Sequence, residues 1–241
     1  MIDTNALTIS VVYDNHSFDR RLKTALGFSA LVEYRGHTLL FDTGGDRSAL
    51  LSNMGILGID PTRIQSLALS HHHGDHTGGL SGLLKTGVRP MIYLLPSFSA
   101  RFKRKIGRKT AVTEVTPGQS LADGVFTTGE MYNRSAEQSL VIQTSRGLVV
   151  VTGCAHPGIV KIIAQAKDLF DDSVRLVMGG FHLRSKSEAE MRTILADFRR
   201  LGVEKVAPSH CTGDQSIAMF AEEYGDDFIQ SGAGKIIHVD E

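Results

Sequence analysis

Leu69-Ser70-His71-His72-His73-Gly74-Asp75-His76-Thr77-Gly78-Gly79 is the stretch on which the reading of this chain turns. It follows an apolar run, 64–69, that reads as a short buried strand ending at Ser70. His71 and His73 are two apart, so in extended backbone they project to the same side, while His72 alternates away from them. Gly74 permits a sharp turn, after which Asp75 and His76 stand where a helix can begin. His71, His73 and His76 with the Asp75 carboxylate form a donor set that suits borderline ions such as zinc, iron or manganese. A tag remnant would sit at a terminus and would not be interleaved with glycine and aspartate.

Outward from this stretch the chain alternates strands and helices. Upstream, 7–13 is an apolar run, 28–41 reads as a hairpin turning at Arg35-Gly36, and 46–54 has helical spacing. Asp60-Pro61-Thr62 reads as a helix start, with proline where its missing N–H costs nothing. Downstream, strands at 91–95 and 112–115 flank a basic helix around 96–107, and short β-runs follow at 125–128, 140–144 and 148–152. From Pro157 the pattern becomes helix 158–170, strand 174–178, helix 187–201, strand 203–208, helix 214–224 and strand 235–239. Two mixed β-sheets face to face with helices outside, a four-layer αββα sandwich, accommodate this order better than a doubly wound parallel sheet. No glycine-rich linker, charge block or repeat interrupts it, so one domain over residues 1–241 is expected.

Composition narrows the function classes. Lys+Arg 26 balance Asp+Glu 26, so no global field favours nucleic acid or an anionic membrane. Two cysteines build no disulfide framework, no apolar run reaches spanning length, and no secretory n- and h-region opens the chain; a cytoplasmic protein is expected. The segment Arg101–Lys109 carries six basic residues in nine. It either lines the mouth of a site for an anionic substrate or forms a solvated helix face. Aromatic side chains do not interleave with it as a nucleic-acid platform requires. No serine nucleophile elbow, P-loop or Rossmann fingerprint competes with the histidine cluster.

His71, His73, Asp75 and His76 match the H-x-H-x-D-H motif, and the chain thereby resembles the metallo-β-lactamase-fold superfamily over nearly its whole length. Phe41-Asp42-Thr43-Gly44 resembles the strand-ending F-D-T-G of that superfamily, whose aspartate orients a ligand histidine from behind. Three further motifs resemble one subgroup in particular: Thr152-Gly153-Cys154-Ala155-His156-Pro157-Gly158, Gly179-Gly180-Phe181-His182-Leu183 and Pro208-Ser209-His210-Cys211-Thr212-Gly213. That subgroup comprises metal-dependent hydrolases related to the dihydropterin ribofuranosylaminobenzene phosphate synthase of methanopterin biosynthesis. The resemblance implies two divalent ions, zinc first and manganese or iron as alternatives. It assigns His71 and His73 to one ion, Asp75 and His76 to the second, and His210 to the second site. His156 is the choice for the remaining histidine ligand. Many members have aspartate where this chain has Cys154; here a thiolate either bridges or binds one ion, favouring zinc over magnesium, or is a buried apolar residue. Glu137 is a further candidate carboxylate. His182 is placed to bind metal, contact a substrate oxyanion or donate a proton, or else is structural.

The expected activity is hydrolysis of a small anionic substrate, phosphorylated or ester-type, by a metal-bound hydroxide, since coordination lowers the pKa of water to about 7. Asp75 and His182 are the expected catalytic residues. A transferase of the synthase type is the alternative, with redox chemistry at iron and a non-catalytic metal sensor behind it.

Overall fold

The computed structural model describes residues 6–239. Its larger sheet is built from β1 (Leu7–Tyr13), β2 (Ser29–Tyr34), β3 (His37–Phe41), β4 (Ser66–Ala68), β5 (Met91–Leu94), β6 (Val112–Glu114) and the final strand β15 (Ile236–Val239). They lie in the order β15-β1-β2-β3-β4-β5-β6. The second sheet contains β7 (Ser120–Ala122), β8 (Val125–Thr127), β11 (Leu140–Thr144), β12 (Gly147–Thr152), β13 (Val174–Gly180) and β14 (Val203–Ser209), in the order β14-β13-β12-β11-β8-β7. Between β8 and β11 a small hairpin, β9 (Met131–Tyr132) and β10 (Ala136–Glu137), stands apart from both sheets. Each large sheet is antiparallel on one side and parallel on the other: β3, β4, β5 and β6 run parallel, as do β12, β13 and β14.

The two faces of the second sheet show why this stacking forms. Leu140, Ile142, Val149, Val151, Leu176 and Met178 belong to the apolar core shared with the first sheet. Their sequence neighbours Val141, Val150 and Val177 belong to a second core under the helices α5 (Ile159–Phe170), α6 (Glu188–Arg200) and α7 (Asp214–Tyr224). Alternation with period two therefore sends apolar side chains to both faces, and each face needs a cover. Phe181, Phe198 and Phe220 interlock in that second core with ring centroids 5.0–5.8 Å apart. The helix α6 starts at a capping box, with the Ser187 hydroxyl accepting from Glu190 N and the Glu190 carboxylate accepting from Ser187 N. On the other side α1 (Arg47–Ile56), α3 (Leu80–Leu83) and α4 (Ala100–Gly107) bring Leu50, Leu83 and Ile106 into the first core.

The consequence for function is a shared edge. Because β1 is antiparallel to β2 and β2 to β3, the strands β1, β3 and β4 all end on one side of their sheet. The parallel strands β12, β13 and β14 end together in theirs. The histidine motifs leave from these ends, and α2 (Gly74–Thr77) follows the β4 end. No helix among the described residues is long and apolar enough to cross a membrane.

Candidate metal centre

Strand ends deliver the donors, and the backbone at those ends is unusual. Among the described residues six non-glycine residues have positive φ, and four of them lie here: Asp42 (59°), Ala155 (63°), His182 (54°) and His210 (51°). Such left-handed positions are unfavourable for residues with a Cβ and persist where surrounding contacts over-determine them. The two sheets also approach closely. A Cβ on Gly153 would lie 2.3 Å from the Ser70 Oγ and 3.0 Å from Asp42 Oδ2. A Cβ on Gly180 would lie 2.4 Å from the Gly153 carbonyl oxygen and 2.7 Å from Cys211 Sγ. The glycines of the Thr-Gly-Cys and Gly-Gly-Phe-His motifs therefore let the strand ends close upon one another.

The resulting cluster has two lobes. In the first, His71 Nε2 lies 3.0 Å from His73 Nδ1, and the His156 ring sits 4.7 Å from that of His71 and 5.0 Å from that of His73. In the second, ligand atoms of Asp75, His76, Cys154 and His210 all lie within 4.8 Å of one another. Cys154 Sγ is 3.3 Å from His76 Nε2 and 3.3 Å from His210 Nε2, while Asp75 Oδ2 is 3.5 and 3.7 Å from the same two nitrogens. Cys154 also lies within that same distance of His71 and His156, so the thiol stands between the lobes. On its far side it meets Cys211 and His182.

What aims these rings is a set of bonds to their other nitrogen. His76 Nδ1 bonds Asp42 Oδ2 at 2.6 Å, and His156 Nδ1 bonds Glu137 Oε2 at 2.7 Å. His210 Nδ1 bonds Asn15 Oδ1 at 2.6 Å, and His71 Nδ1 lies 2.8 Å from the Ser70 hydroxyl. In all four the Nδ1 side is tied to the protein, and in His71, His76 and His210 Nε2 faces other members of the cluster. This is the arrangement that metal-ligating histidines adopt, the outer partner fixing tautomer and ring direction. Asp42 also accepts from Ser70 N at 2.7 Å and from the Ser70 hydroxyl at 2.6 Å, joining the ends of β3 and β4.

Charge in the cluster follows from burial and these pairs. Burial pushes His71 down to about 2 and His210 down to about 3, and the charge on His76 adds to both effects. Burial would lower His76 as well, but the Asp42 and Asp75 carboxylates overcome it and raise it to about 10. Burial would raise Asp75, but the bond and charge of His76 hold it below the usual carboxylate range. Glu137 is likewise opposed by burial, yet the bonds from His156 and the charge of His71 bring it to about 2. The Cys154 thiol is pushed up, first by its contact with Cys211 and then by burial. Cys211 is brought down to about 6 by Cys154 against burial, with His182 adding to the decrease.

The structure thus brings together His71, His73, Asp75, His76, Cys154, His156 and His210, with Asp42 behind His76. His182 is exposed at the open side, next to Cys211. His72 is exposed, with its ring 4.9 Å from that of His73 on the outside of the cluster. Glu137 is placed differently from a ligand carboxylate. Both its oxygens are occupied by the turn after β12, accepting from Cys154 N, Ala155 N and His156 N as well as the His156 ring. Asn15, Ser70 and the outer role of Glu137 escape a reading of the sequence, because a short polar residue at a strand end does not announce which ring it meets. The available signal is their place close to the ends of apolar strands, Asn15 and Ser70 shortly after one and Glu137 shortly before one. The basic helix α4 packs its Ile106 into the core and spends Lys103 on Glu114 at 2.7 Å. None of its residues lines the cavity beside the cluster.

Comparison with known proteins agrees with this geometry. Residues 24–91 match the profile of the Metallo-beta-lactamase superfamily. The chain is 30% identical to the 7,8-dihydropterin-6-methyl-4-(beta-D-ribofuranosyl)-aminobenzene-5'-phosphate synthase of Methanocaldococcus jannaschii, over 88% of this chain and 89% of that protein. Among solved structures it resembles Tm1679, described as a metal-dependent hydrolase of the beta-lactamase superfamily, with a TM-score of 0.82 at 28% identity, covering 98% of this chain and 100% of that one. The fold is also that of YhfI from Bacillus subtilis, a metallo-beta-lactamase fold protein, with a TM-score of 0.73 at 16% identity over 98% of this chain and 100% of that one. With its two mixed sheets, its H-x-H-x-D-H turn and a synthase relative aligned along most of its length, the chain belongs to the metallo-beta-lactamase superfamily.

Proposed function

We propose that the protein is a metal-dependent hydrolase acting on a small anionic substrate, phosphorylated or ester-type, with two divalent ions, zinc first, as its cofactors. The observation that carries this reading is the orientation of four histidines, each with Nδ1 tied to a protein partner, of which His71, His76 and His210 turn Nε2 to other donors of the cluster. The donor set fits such ions. The 3.0 Å between His71 Nε2 and His73 Nδ1 is close to the edge of about 3.3 Å that zinc–nitrogen bonds of 2.0–2.1 Å give in a tetrahedron. His71, His73 and His156 would hold one ion; Asp75, His76, Cys154 and His210 the other.

Ions held there would supply a nucleophile from water at neutral pH and a sink for developing negative charge. The chain's own part is positioning. Asp75, half-buried and held ionised by His76, would serve as a ligand and orient the attacking water by accepting a hydrogen bond from it. His182, raised by its contact with Cys211 against burial, stands on the open side as a proton donor to the leaving group. Burial of His71, His76, Cys154 and His210 keeps bulk water from competing for the ligand atoms.

A second reading is favoured by one finding, the 30% identity to the synthase. In a transferase the same ions would activate a diphosphate leaving group and an amine would attack in place of water. Elemental analysis of protein prepared without added metal or histidine tag, followed by two incubations, tests both readings. One incubation uses a generic phosphodiester, the other a pterin diphosphate with an aryl amine. Two zinc ions per chain and phosphodiester turnover that is lost in His71→Ala and His76→Ala are expected. Turnover of the diphosphate pair alone would replace hydrolysis by transfer, and full activity in either alanine variant would overturn the metal reading.

A further inference from the structure

Beside the histidine cluster a cavity of about 300 Å³ opens to solvent, walled by His182, Arg184, Ser185, Cys211, Asn15 and Leu26. Its volume lies at the small end of ligand pockets, which run from about 300 to 1,000 Å³. That is room for one ring-sized body with a polar head.

The loop that carries Arg184 is held firmly. The Leu183 carbonyl accepts from Lys186 N at 2.9 Å and from the Ser216 hydroxyl at 3.1 Å, and Phe181 N donates to the Thr212 hydroxyl at 3.0 Å. The start of α7 lies so near that a Cβ on Gly213 would come within 2.8 Å of Arg184 Cα. The guanidinium therefore springs from a fixed base. Elsewhere Arg175, Arg192, Arg199 and Arg200 are each paired with a carboxylate, but among the described residues none pairs with Arg184. An unpaired guanidinium presents a planar fork of donors that matches phosphate and carboxylate oxygens.

The five N–H donors of Arg184 and the Ser185 hydroxyl are more than one carboxylate can use, whereas a phosphoryl group has three terminal oxygens to receive them. Opposite them stands Leu26, 68% exposed, an apolar wall beside the charged one.

We propose that this cavity seats a phosphoryl group that is not itself attacked, carried on a small substrate with one ring-sized apolar part, with Arg184 as its anchor and Ser185 beside it. The scissile bond would then lie over the histidine cluster, held there by binding energy from a remote group. This rests on the metal-centre reading for the chemistry, though not for the binding.

The test is equilibrium binding to the full-length protein as purified, with metal content measured on every variant. The probes are phenylphosphonate, benzoate and benzyl alcohol. Phenylphosphonate is expected to bind, at least tenfold more weakly in Arg184→Ala, with partial recovery in Arg184→Lys. Arg101→Ala on α4 should leave binding unchanged. Equal binding by Arg184→Ala at unchanged metal content would overturn the proposal. So would tighter binding of benzoate, which assigns the seat to carboxylates, or equal binding of benzyl alcohol, which leaves only an apolar pocket. His71→Ala separates the two readings: phenylphosphonate binding that stays dependent on Arg184 when metal is absent supports the seat and leaves the metal centre to be judged by its own assay.

Discussion

Replacing Glu137 by glutamine changes one atom in a residue that is 1% exposed, and the structure says what that atom supports. Oε1 accepts from Cys154 N at 2.7 Å and Ala155 N at 2.8 Å; Oε2 accepts from His156 N at 2.9 Å and from the His156 ring at 2.7 Å. Whichever way the amide turns, its NH2 faces two donors. Hydrogen bonds to a charged group contribute about 1.5–3 kcal/mol each, so losing two costs about 3–6 kcal/mol in a protein whose whole stability is about 5–15 kcal/mol. At 2–4 °C per kcal/mol for a chain of this size, Glu137→Gln should melt roughly 6–24 °C below the parent. The same change releases the His156 ring, and metal affinity should fall about 10–100-fold. Thermal melts of chelator-treated protein and a competition titration with zinc read the two effects separately. The pH dependence adds a signature. Glu137 is held at about 2 in the folded chain against an ordinary 4.5, so its contribution is complete above 4.5 and is lost as pH falls toward 2. That part of the acid sensitivity should vanish in Glu137→Gln. A variant that melts within 2 °C of the parent and binds zinc equally would refute the argument that this carboxylate builds the turn.

Other consequences follow from the same geometry. Loading the second lobe at pH 7 must displace the proton held on His76 and the proton of the raised Cys154 thiol, so about two protons should leave per ion and affinity should rise with pH. Calorimetry in buffers of different ionisation heat measures this, and release of less than one proton would contradict a protonated His76. Cys154→Asp exchanges a soft donor for a hard one and should shift preference from zinc toward manganese, read as the ratio of the two ions retained from an equimolar mixture; an unchanged ratio would mean that the thiol does not bind the ion. Gly153→Ala would place its Cβ 2.3 Å from the Ser70 Oγ, which is bonded to Asp42, and should cost about 1–3 kcal/mol in a urea melt together with metal affinity.

Most of the fold was legible because the strands are apolar and the turns are marked. Leu7–Tyr13, Leu140–Thr144 and Asp214–Tyr224 occur where periodicity places them. The departures have local causes. Asp60-Pro61-Thr62 opens only a 3-10 turn, Pro61–Arg63, because Ile64 already has extended backbone (φ −70°, ψ 111°) as the chain turns into β4. The run 64–69 pairs only over Ser66–Ala68, since Ser70 is drawn away to Asp42. β13 continues past its apolar part to Gly180 because its parallel partner β14 pairs Gly179 with Pro208 and Gly180 with Ser209. Two glycines carry no hydrophobic signal, so the pairing that places His182 could not be read from them. The β9–β10 hairpin, with Tyr132 exposed and only two residues per strand, likewise offers no alternation to detect.

The candidate site divides along the same line. Residue type and spacing identify donors, since His71, His73, Asp75 and His76 lie within one turn of chain. Partnership across the fold is not written that way: the ring of His210 is aimed by Asn15, 195 positions away, and that of His156 by Glu137, 19 away. Cys154 shows most clearly what the structure adds. As a residue type it fits a ligand and a buried apolar filler equally well. A filler would lie among core side chains, yet Cys154 belongs to neither apolar core. Its sulfur instead stands 3.3 Å from two imidazole nitrogens whose rings are fixed from behind by Asp42 and Asn15. Without a shared ion these buried nitrogens meet only weak sulfur contacts and the long Asp75 pairs at 3.5 and 3.7 Å, a cost that bound metal would remove. The lobe containing Asp75, His76, Cys154 and His210 is therefore the part of this chain whose stability should respond most to metal. A melt that shifts more with added zinc in the parent than in Cys154→Ala is the measurement that weighs it.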